Sequence, residues 1–196
     1  MITPQKQILD SFKVILLGAG GTGKTSLLNR YCYNSFDANS KLTVGTNFST
    51  SYINIKFRNS TSDVSYKYIV DSIFDCGGQK RFRQLIPKML KGADGVFLVF
   101  DLVSYSSFHQ LNYWYDLLNT SVSDSIPILL IGTKSDLLNN SHPEAVREDL
   151  IMKFMNEHDL NGFFKTSALE NHNVLKVFNE LNQLMLDYHN YNAVIV

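Results

Sequence analysis

The chain has few cysteines, no excess charge of either sign and no long apolar run. Its two cysteines, Cys32 and Cys76, are too few for a disulfide framework, and a reducing compartment is the expectation. Lys plus Arg and Asp plus Glu total 18 each, so the formal net charge is zero. That balance gives no electrostatic reason to expect nucleic acid as a partner. Residues 1–11 carry no long apolar core, so no signal peptide is expected there. Stretches such as Val96 to Phe100 are too short to span a bilayer and read as buried strands. No internal repeat, low-complexity tract or dividing linker interrupts the 196 residues, and the length suits one domain. Residues 12–188 are the expected core of a single domain covering 1–196, with short extensions at either end.

What is present is an alternation of strand-length apolar runs with amphipathic helical stretches. Strands are predicted at Phe12–Leu17, Phe48–Phe57, Ser65–Phe74, Gly95–Phe100, Ile126–Ile131 and Phe163–Lys165. Helices are predicted at Lys24–Tyr33, Phe82–Leu90, Ser106–Asn119, Pro143–His158 and Asn173–Tyr188. Asn59–Asp63 is polar and turn-like, joining the second and third strands as a hairpin. Pro143 suits a first helical turn, with Ser141 or His142 just before it. The pattern predicts an α/β fold, a mostly parallel six-stranded sheet with helices on both faces. Such sheets bind ligands at the carboxyl ends of their strands, and the motifs below all fall there.

Gly18-Ala19-Gly20-Gly21-Thr22-Gly23-Lys24-Thr25 fits G-x-x-x-x-G-K-[ST], directly after a strand and opening a helix. Glycines let successive N–H groups point into one concavity, and the helix N-terminus adds positive potential. Gly20, Gly21, Thr22, Gly23, Lys24, Thr25 and Ser26 are the expected phosphate-binding set. Lys24 is expected to reach the β- and γ-phosphates, and the Thr25 hydroxyl to ligate magnesium. A glycine-rich turn that binds nothing is the bland alternative, and the strand–loop–helix context argues against it.

The loop alone does not separate ATP from GTP; three later segments do. In Asp75-Cys76-Gly77-Gly78-Gln79, Asp75 can hold a magnesium-bound water, the Gly78 amide can touch the γ-phosphate and Gln79 can orient the attacking water. In Thr133-Lys134-Ser135-Asp136, the Asp136 carboxylate can accept from guanine N1 and its amino group, while the Lys134 stem lies along the base. Ser167-Ala168-Leu169, after Thr166, can offer a backbone N–H to guanine O6. Alone, a Lys-x-Asp after a strand is commonly a helix cap; the order and spacing behind a phosphate loop give the set its meaning.

With these residues in place, the sequence resembles the Ras-superfamily small GTPases, P-loop NTPases with a small G domain, and among them the Rab family most. The resemblance runs from Phe12 to about Tyr188. Thr43-Val44-Gly45-Thr46-Asn47-Phe48 is similar to that family's T-I-G-x-x-F, Gln79-Lys80-Arg81-Phe82-Arg83 to its Q-E-R-F-R, and Lys91-Gly92-Ala93-Asp94-Gly95 to its R-G-A-x-G; Ser107-Phe108 and Trp114 also correspond. The resemblance implies that Thr43 is the switch I threonine, which binds magnesium and senses the γ-phosphate, and that Phe36 stacks on guanine. It implies a switch that binds GTP or GDP with Mg2+ and hydrolyses GTP slowly, with Gln79, Lys24 and Thr43 as catalytic residues. Thr25, Thr43 and Asp75 become the expected metal ligands or their second sphere, and Gly78, Thr133, Lys134, Asp136 and Ser167–Leu169 join the nucleotide set. Protein effectors, exchange and activating proteins are the implied partners of a monomer.

The chain also departs from the Rab pattern. Thr133 replaces the asparagine of N-K-x-D, as in Rac-type proteins. Gly77-Gly78 replaces Ala-Gly, giving a G-G-Q like that of Arf, and two glycines in succession are expected to make this loop costly to order, so that alanine at 77 would ease it. Lys80 replaces a glutamate, Phe74 a tryptophan, and Ser40 the aromatic that normally closes over the phosphates. No prenylatable cysteine or basic run occurs near Tyr191–Val196, so no direct membrane anchor is expected. A cytosolic protein, or one recruited through partners or a lipidated tail outside this sequence, is the expectation, and Ala193–Val196 is expected to pack back on the fold or fray. Two other readings stand beside the hydrolysing switch: a guanine-nucleotide-binding scaffold that hardly cycles, and an ATP-dependent phosphoryl transferase, against which Thr133–Asp136 argues.

Overall fold

The structure is a computed structural model that describes residues 7–58, 67–122, 125–138 and 145–196. The expected turn at Asn59–Asp63 and Pro143 itself lie outside them, but residues 145–147 are not helical and the helix expected from Pro143 begins at Glu148, after an extended Arg147. Strand β1 (Gln7–Leu17) leads through the phosphate loop into helix α1 (Lys24–Tyr33). Strands β2 (Thr46–Phe57) and β3 (Lys67–Cys76) pair antiparallel, as the hairpin reading requires. A 3-10 turn at Lys80–Leu85 runs into α2 (Ile86–Leu90), followed by β4 (Gly95–Asp101), α3 (Tyr105–His109) and α4 (Leu111–Ser121). Then come β5 (Ile128–Thr133), α5 (Glu148–Glu157), β6 (Gly162–Lys165), α6 (Val174–Tyr188) and β7 (Ala193–Ile195).

The sheet order is β6-β5-β4-β1-β3-β2-β7, with parallel pairing from β6 through β3 and antiparallel pairing of β2 and β7. Among the described residues it has seven strands, one more than expected. The extra one is the apolar C-terminal run: Ala193–Ile195 lies against Ile55–Phe57, Val196 N donates to Asn54 O at 3.1 Å, and the Gln183 side chain binds Ala193 O and Ile195 N. Three residues show too little period-2 signal to be read as a strand; their partner is more than a hundred residues away. The expected helix at Ser106–Asn119 is two helices, because Gln110 turns to ψ −6° between them. Gln110 Oε1 accepts from Arg83 at 2.7 Å, and the Arg83 guanidinium lies over the Tyr113 and Trp114 rings, a favourable cation–π arrangement.

Side-chain alternation divides the core between the two faces. Val14, Leu16, Phe97 and Val99 pack with Leu27 and Leu28 of α1 and Phe178, Leu181 and Met185 of α6. Ile15, Leu17, Val96, Leu98 and Phe100 pack with Ile86, Leu90, Trp114, Leu118 and Phe154 on the other face. On β3 the same period aligns Ile69, Asp71, Ile73 and Asp75, all fully buried. Asp71 therefore sits inside the core beneath α1 and α6. Asp75, one pleat repeat beyond Ile73, emerges at the carboxyl end of the sheet, where a ligand can meet it.

Candidate nucleotide-binding site

The phosphate loop is held by its own backbone requirements. Gly21 and Gly23 have φ of +80° and +83°, the left-handed region that favours glycine. Gly23 is also the residue before α1 and provides no side-chain cap, leaving the first amides of the helix open to an anion. Lys24 folds back over the loop, its Nζ donating to Gly18 O at 2.9 Å and Ala19 O at 2.8 Å. Burial lowers its pKa to about 8, opposed by the nearby Asp75; a phosphate would favour the charged form still further. The Thr22 side chain is buried and donates to Ala19 O at 3.0 Å, bracing the loop from within and leaving its backbone amide as the group it can offer a phosphate.

Thr25, Thr43 and Asp75 converge. The two hydroxyls lie 2.7 Å apart, Thr25 also bonds Asp75 Oδ2, and Thr43 reaches the same oxygen at 3.4 Å. Asp75 Oδ1 is buried with no hydrogen-bond partner among the described residues. Burial raises the Asp75 pKa, against the two hydroxyls and Lys24. Two hydroxyl oxygens and a carboxylate with a spare buried oxygen form the hard-oxygen donor set that magnesium takes. Gln79 Nε2 donates to Thr43 O at 3.3 Å. Gly78 lies against the phosphate loop so closely that a Cβ there would stand 2.3 Å from Gly18 O and 2.4 Å from Gly20 N. A Cβ on Gly20 would meet Gln79 Cγ at 3.9 Å, an ordinary contact.

At the base end, Thr133 is buried, its hydroxyl 2.6 Å from Thr22 O and 3.0 Å from Phe100 O. A threonine in this place thus ties β5 to the phosphate loop. Lys134 takes φ +59° and its Nζ lies 2.5 Å from Asp101 Oδ2. Asp136 sits in a 3-10 turn, Ser135–Leu137, which Ser135 N fastens to Thr166 O at 3.0 Å. Ala168 and Leu169 line the cavity, whereas Ser167 does not: it is fully buried, exchanges two backbone bonds with His172 and accepts from Glu170 N at 3.0 Å. The loop's shape consumes that side chain.

Gly20–Gly21, Lys24–Ser26, Phe36, Thr43, Gly78, Gln79, Thr133, Lys134, Asp136, Ala168 and Leu169 line one cavity of about 470 Å³, while Thr22, Asp75 and Ser167 are not on its walls. Three contributors escaped the sequence reading. Arg30, on the last turn of α1, donates from Nε to Ala168 O at 2.7 Å and reaches Leu169 O at 3.3 Å; in sequence it reads only as a cation at a helix C-terminus. Asp101 is the partner of Lys134. Leu42 lies over the phosphate loop, its Cδ2 3.8 Å from where a Cβ on Gly21 would stand. Ser40 lines the same wall without a ring to lay across it, and Leu42 offers an apolar side chain over the loop there. Leu42→Ala is expected to speed release of a fluorescent guanine nucleotide roughly threefold to tenfold, as loss of part of one side chain's burial allows, and Ser40→Tyr to slow it. Release unchanged in both variants would show that this wall does not cover the ligand.

A mostly parallel sheet with a phosphate loop after β1, and the Ser135–Leu137 turn and the loop after β6 beside it at the same sheet end, is the architecture of a P-loop nucleotide-binding domain. Residues 13–187 match the sequence model of the Ras family, and the chain belongs to that family of small GTPases. It is 36% identical over 170 residues to the Ras-related protein RABA1c of Arabidopsis thaliana, an alignment covering 87% of this chain and 73% of the relative. The Ras-related protein YPTC6 of Chlamydomonas reinhardtii is 35% identical over the same shares. The Ras-related protein RIC2 of Oryza sativa subsp. japonica is 35% identical over 87% of this chain and 72% of its own. Closeness to the Rab branch agrees with the motifs at Thr43–Phe48 and Gln79–Arg83. No helix among the described residues is long and apolar enough to cross a membrane.

Proposed function

We propose that this chain is a magnesium-dependent GTP switch with slow intrinsic hydrolysis, acting in vesicle traffic or a related signalling process through partners that distinguish its two states. The observation that carries this is the convergence of Thr25, Thr43 and Asp75, with the unpartnered Asp75 Oδ1, beside Gln79. Thr25 and Thr43 would hold Mg2+ directly, with Asp75 accepting from a water in its shell; the ion would neutralise charge on the phosphate oxygens. Lys24 would hold the β- and γ-phosphates, the Gly78 amide would donate to the γ-phosphate, and Gln79 would orient the attacking water. Phe36, Lys134, Asp136 and the Ala168–Leu169 backbone would bind the base. Loss of the γ-phosphate removes the ligand shared by Thr43 and Gly78, and the two loops then change the surface offered to partners.

Single-turnover GTP hydrolysis with magnesium tests the reading. The wild type is expected to turn over slowly, and Gln79→Leu to slow it by about a hundredfold, as loss of water positioning does. Equal rates in the two proteins, with tight GTP binding retained, would instead support the scaffold that hardly cycles.

A further inference from the structure

Gly77 follows the last residue of β3, yet the antiparallel ladder does not stop at the Thr46–Cys76 pair. The Gly77 amide donates to Gly45 O at 2.9 Å. The ladder therefore runs beyond the sheet and joins the loop before β2 to the loop after β3, the two segments that carry Thr43 and Gln79. Gly77 is not among the residues with positive φ, so what restricts this position is space rather than backbone conformation. A Cβ here would stand 2.7 Å from Gly45 O and 2.9 Å from Thr43 O. Both are backbone atoms, which have no rotamer by which to move aside. The Thr43 carbonyl is the group to which Gln79 Nε2 donates, and the Thr43 hydroxyl lies beside Thr25 and Asp75. Displacing residues 43–45 by the roughly half an ångström or more that ordinary contact distances require would weaken the Gln79 bond to Thr43 O and draw Thr43 away from Asp75 together.

We propose that Gly77 is a positioning residue for hydrolysis: its missing side chain lets the two loops close onto each other as one unit, setting Gln79 and Thr43 in a common geometry. This rests on the GTPase roles proposed above for those two residues. It reverses the expectation from sequence, where two consecutive glycines read as an ordering cost that alanine would relieve. The alanine usual in the Rab family at this place does not fit the junction this chain builds.

The test compares Gly77→Ala with the wild type in single-turnover GTP hydrolysis at saturating magnesium and in binding of fluorescent GDP. Hydrolysis is expected to fall roughly 10- to 100-fold, the scale of an ångström-level misplacement. GDP affinity is expected to hold, since Lys24, Asp136 and the phosphate-loop amides are untouched. Wild-type hydrolysis in the variant, or an equal loss of hydrolysis and GDP affinity, would overturn the proposal. An independent measurement uses the wild type alone: residue-resolved hydrogen exchange of the Gly77 amide with a non-hydrolysable GTP analogue bound. Protection matching that of the neighbouring ladder amides is expected, and rapid exchange would overturn the proposal even if the variant fails to fold. A wild type that binds GTP without hydrolysing it would defeat the GTPase reading, while the amide measurement would still report on the junction by itself.

Discussion

Asp136→Ala is expected to lower GTP affinity about a thousandfold and to remove most of the preference for GTP over ATP. Asp136 stands on the cavity wall beside Lys134, Ala168 and Leu169, in a turn pinned by the Ser135–Thr166 bond. A carboxylate there offers two acceptors to the two donors on the guanine edge. Adenine presents an acceptor at N1, so the carboxylate would lose its water without gaining partners, which costs several kcal/mol, or about 10³-fold. The variant lacks both the attraction and the penalty, so affinity and discrimination fall together. Competition binding with GTP and ATP on both proteins measures this directly. A retained GTP preference in the variant would place the base elsewhere in the cavity.

Raising the pH from about 4 to above 7 is expected to weaken the fold through Asp71, by at most about 4 kcal/mol. Asp71 is fully buried, and burial pushes its pKa up to about 7 despite the bond from Asn182. Asn182 Nδ2 donates to Asp71 Oδ2 at 2.8 Å and to Phe178 O at 2.9 Å, leaving Asp71 Oδ1 and Asn182 Oδ1 both buried without partners among the described residues. Two acceptors without a proton between them are a poor arrangement; a protonated Asp71 has a donor to offer. Tyr31 and Cys32, from α1, face the same region and are pushed up by burial to about 12 and about 11, so both stay neutral across this window. The folded state holds the Asp71 proton to about pH 7, whereas the unfolded chain releases it near 4. Between those values the folded state binds more protons, so its stability is fully present below the lower value, falls with rising pH, and levels off above the upper one. Asp71→Asn keeps the shape and supplies an N–H. It is expected to be more stable than the wild type at pH 8 by about 2 kcal/mol or more and to flatten the pH dependence. Denaturant unfolding at pH 5 and pH 8, at fixed nucleotide concentration, decides this; parallel stability curves for the two proteins would mean that Asp71 is ionised throughout.

Three carboxylates illustrate how far the sequence reaches. Asp75 and Asp136 were legible because each lies in a short motif at a strand end, and the phosphate loop and α1 were legible for the same reason. Glycine at positive φ, a helix beginning at Lys24 and period-2 strands are requirements that a handful of neighbouring residues express. Asp71 has no such setting: in sequence it is a polar residue in a strand, and only the packing of α1 and α6 over β3 makes it a buried acid. Arg30 and Ala168 are 138 positions apart, Thr133 and Thr22 are 111, and nothing local to either member signals the bond. The seventh strand depends likewise on the edge that β2 leaves open to Ala193–Ile195.

Gly77 marks the boundary most plainly. By itself the sequence determined the fold class, the phosphate loop and the positions of the motifs from which guanine and magnesium binding are proposed, because local backbone conformation and side-chain chemistry are written in consecutive residues. Only the tertiary structure decided that Gly77 meets Gly45 O and Thr43 O, that Ser167 and Thr22 turn inward, and that Leu42 covers the loop. Those outcomes depend on which atoms become neighbours when distant segments close, and excluded volume acts between neighbours in space.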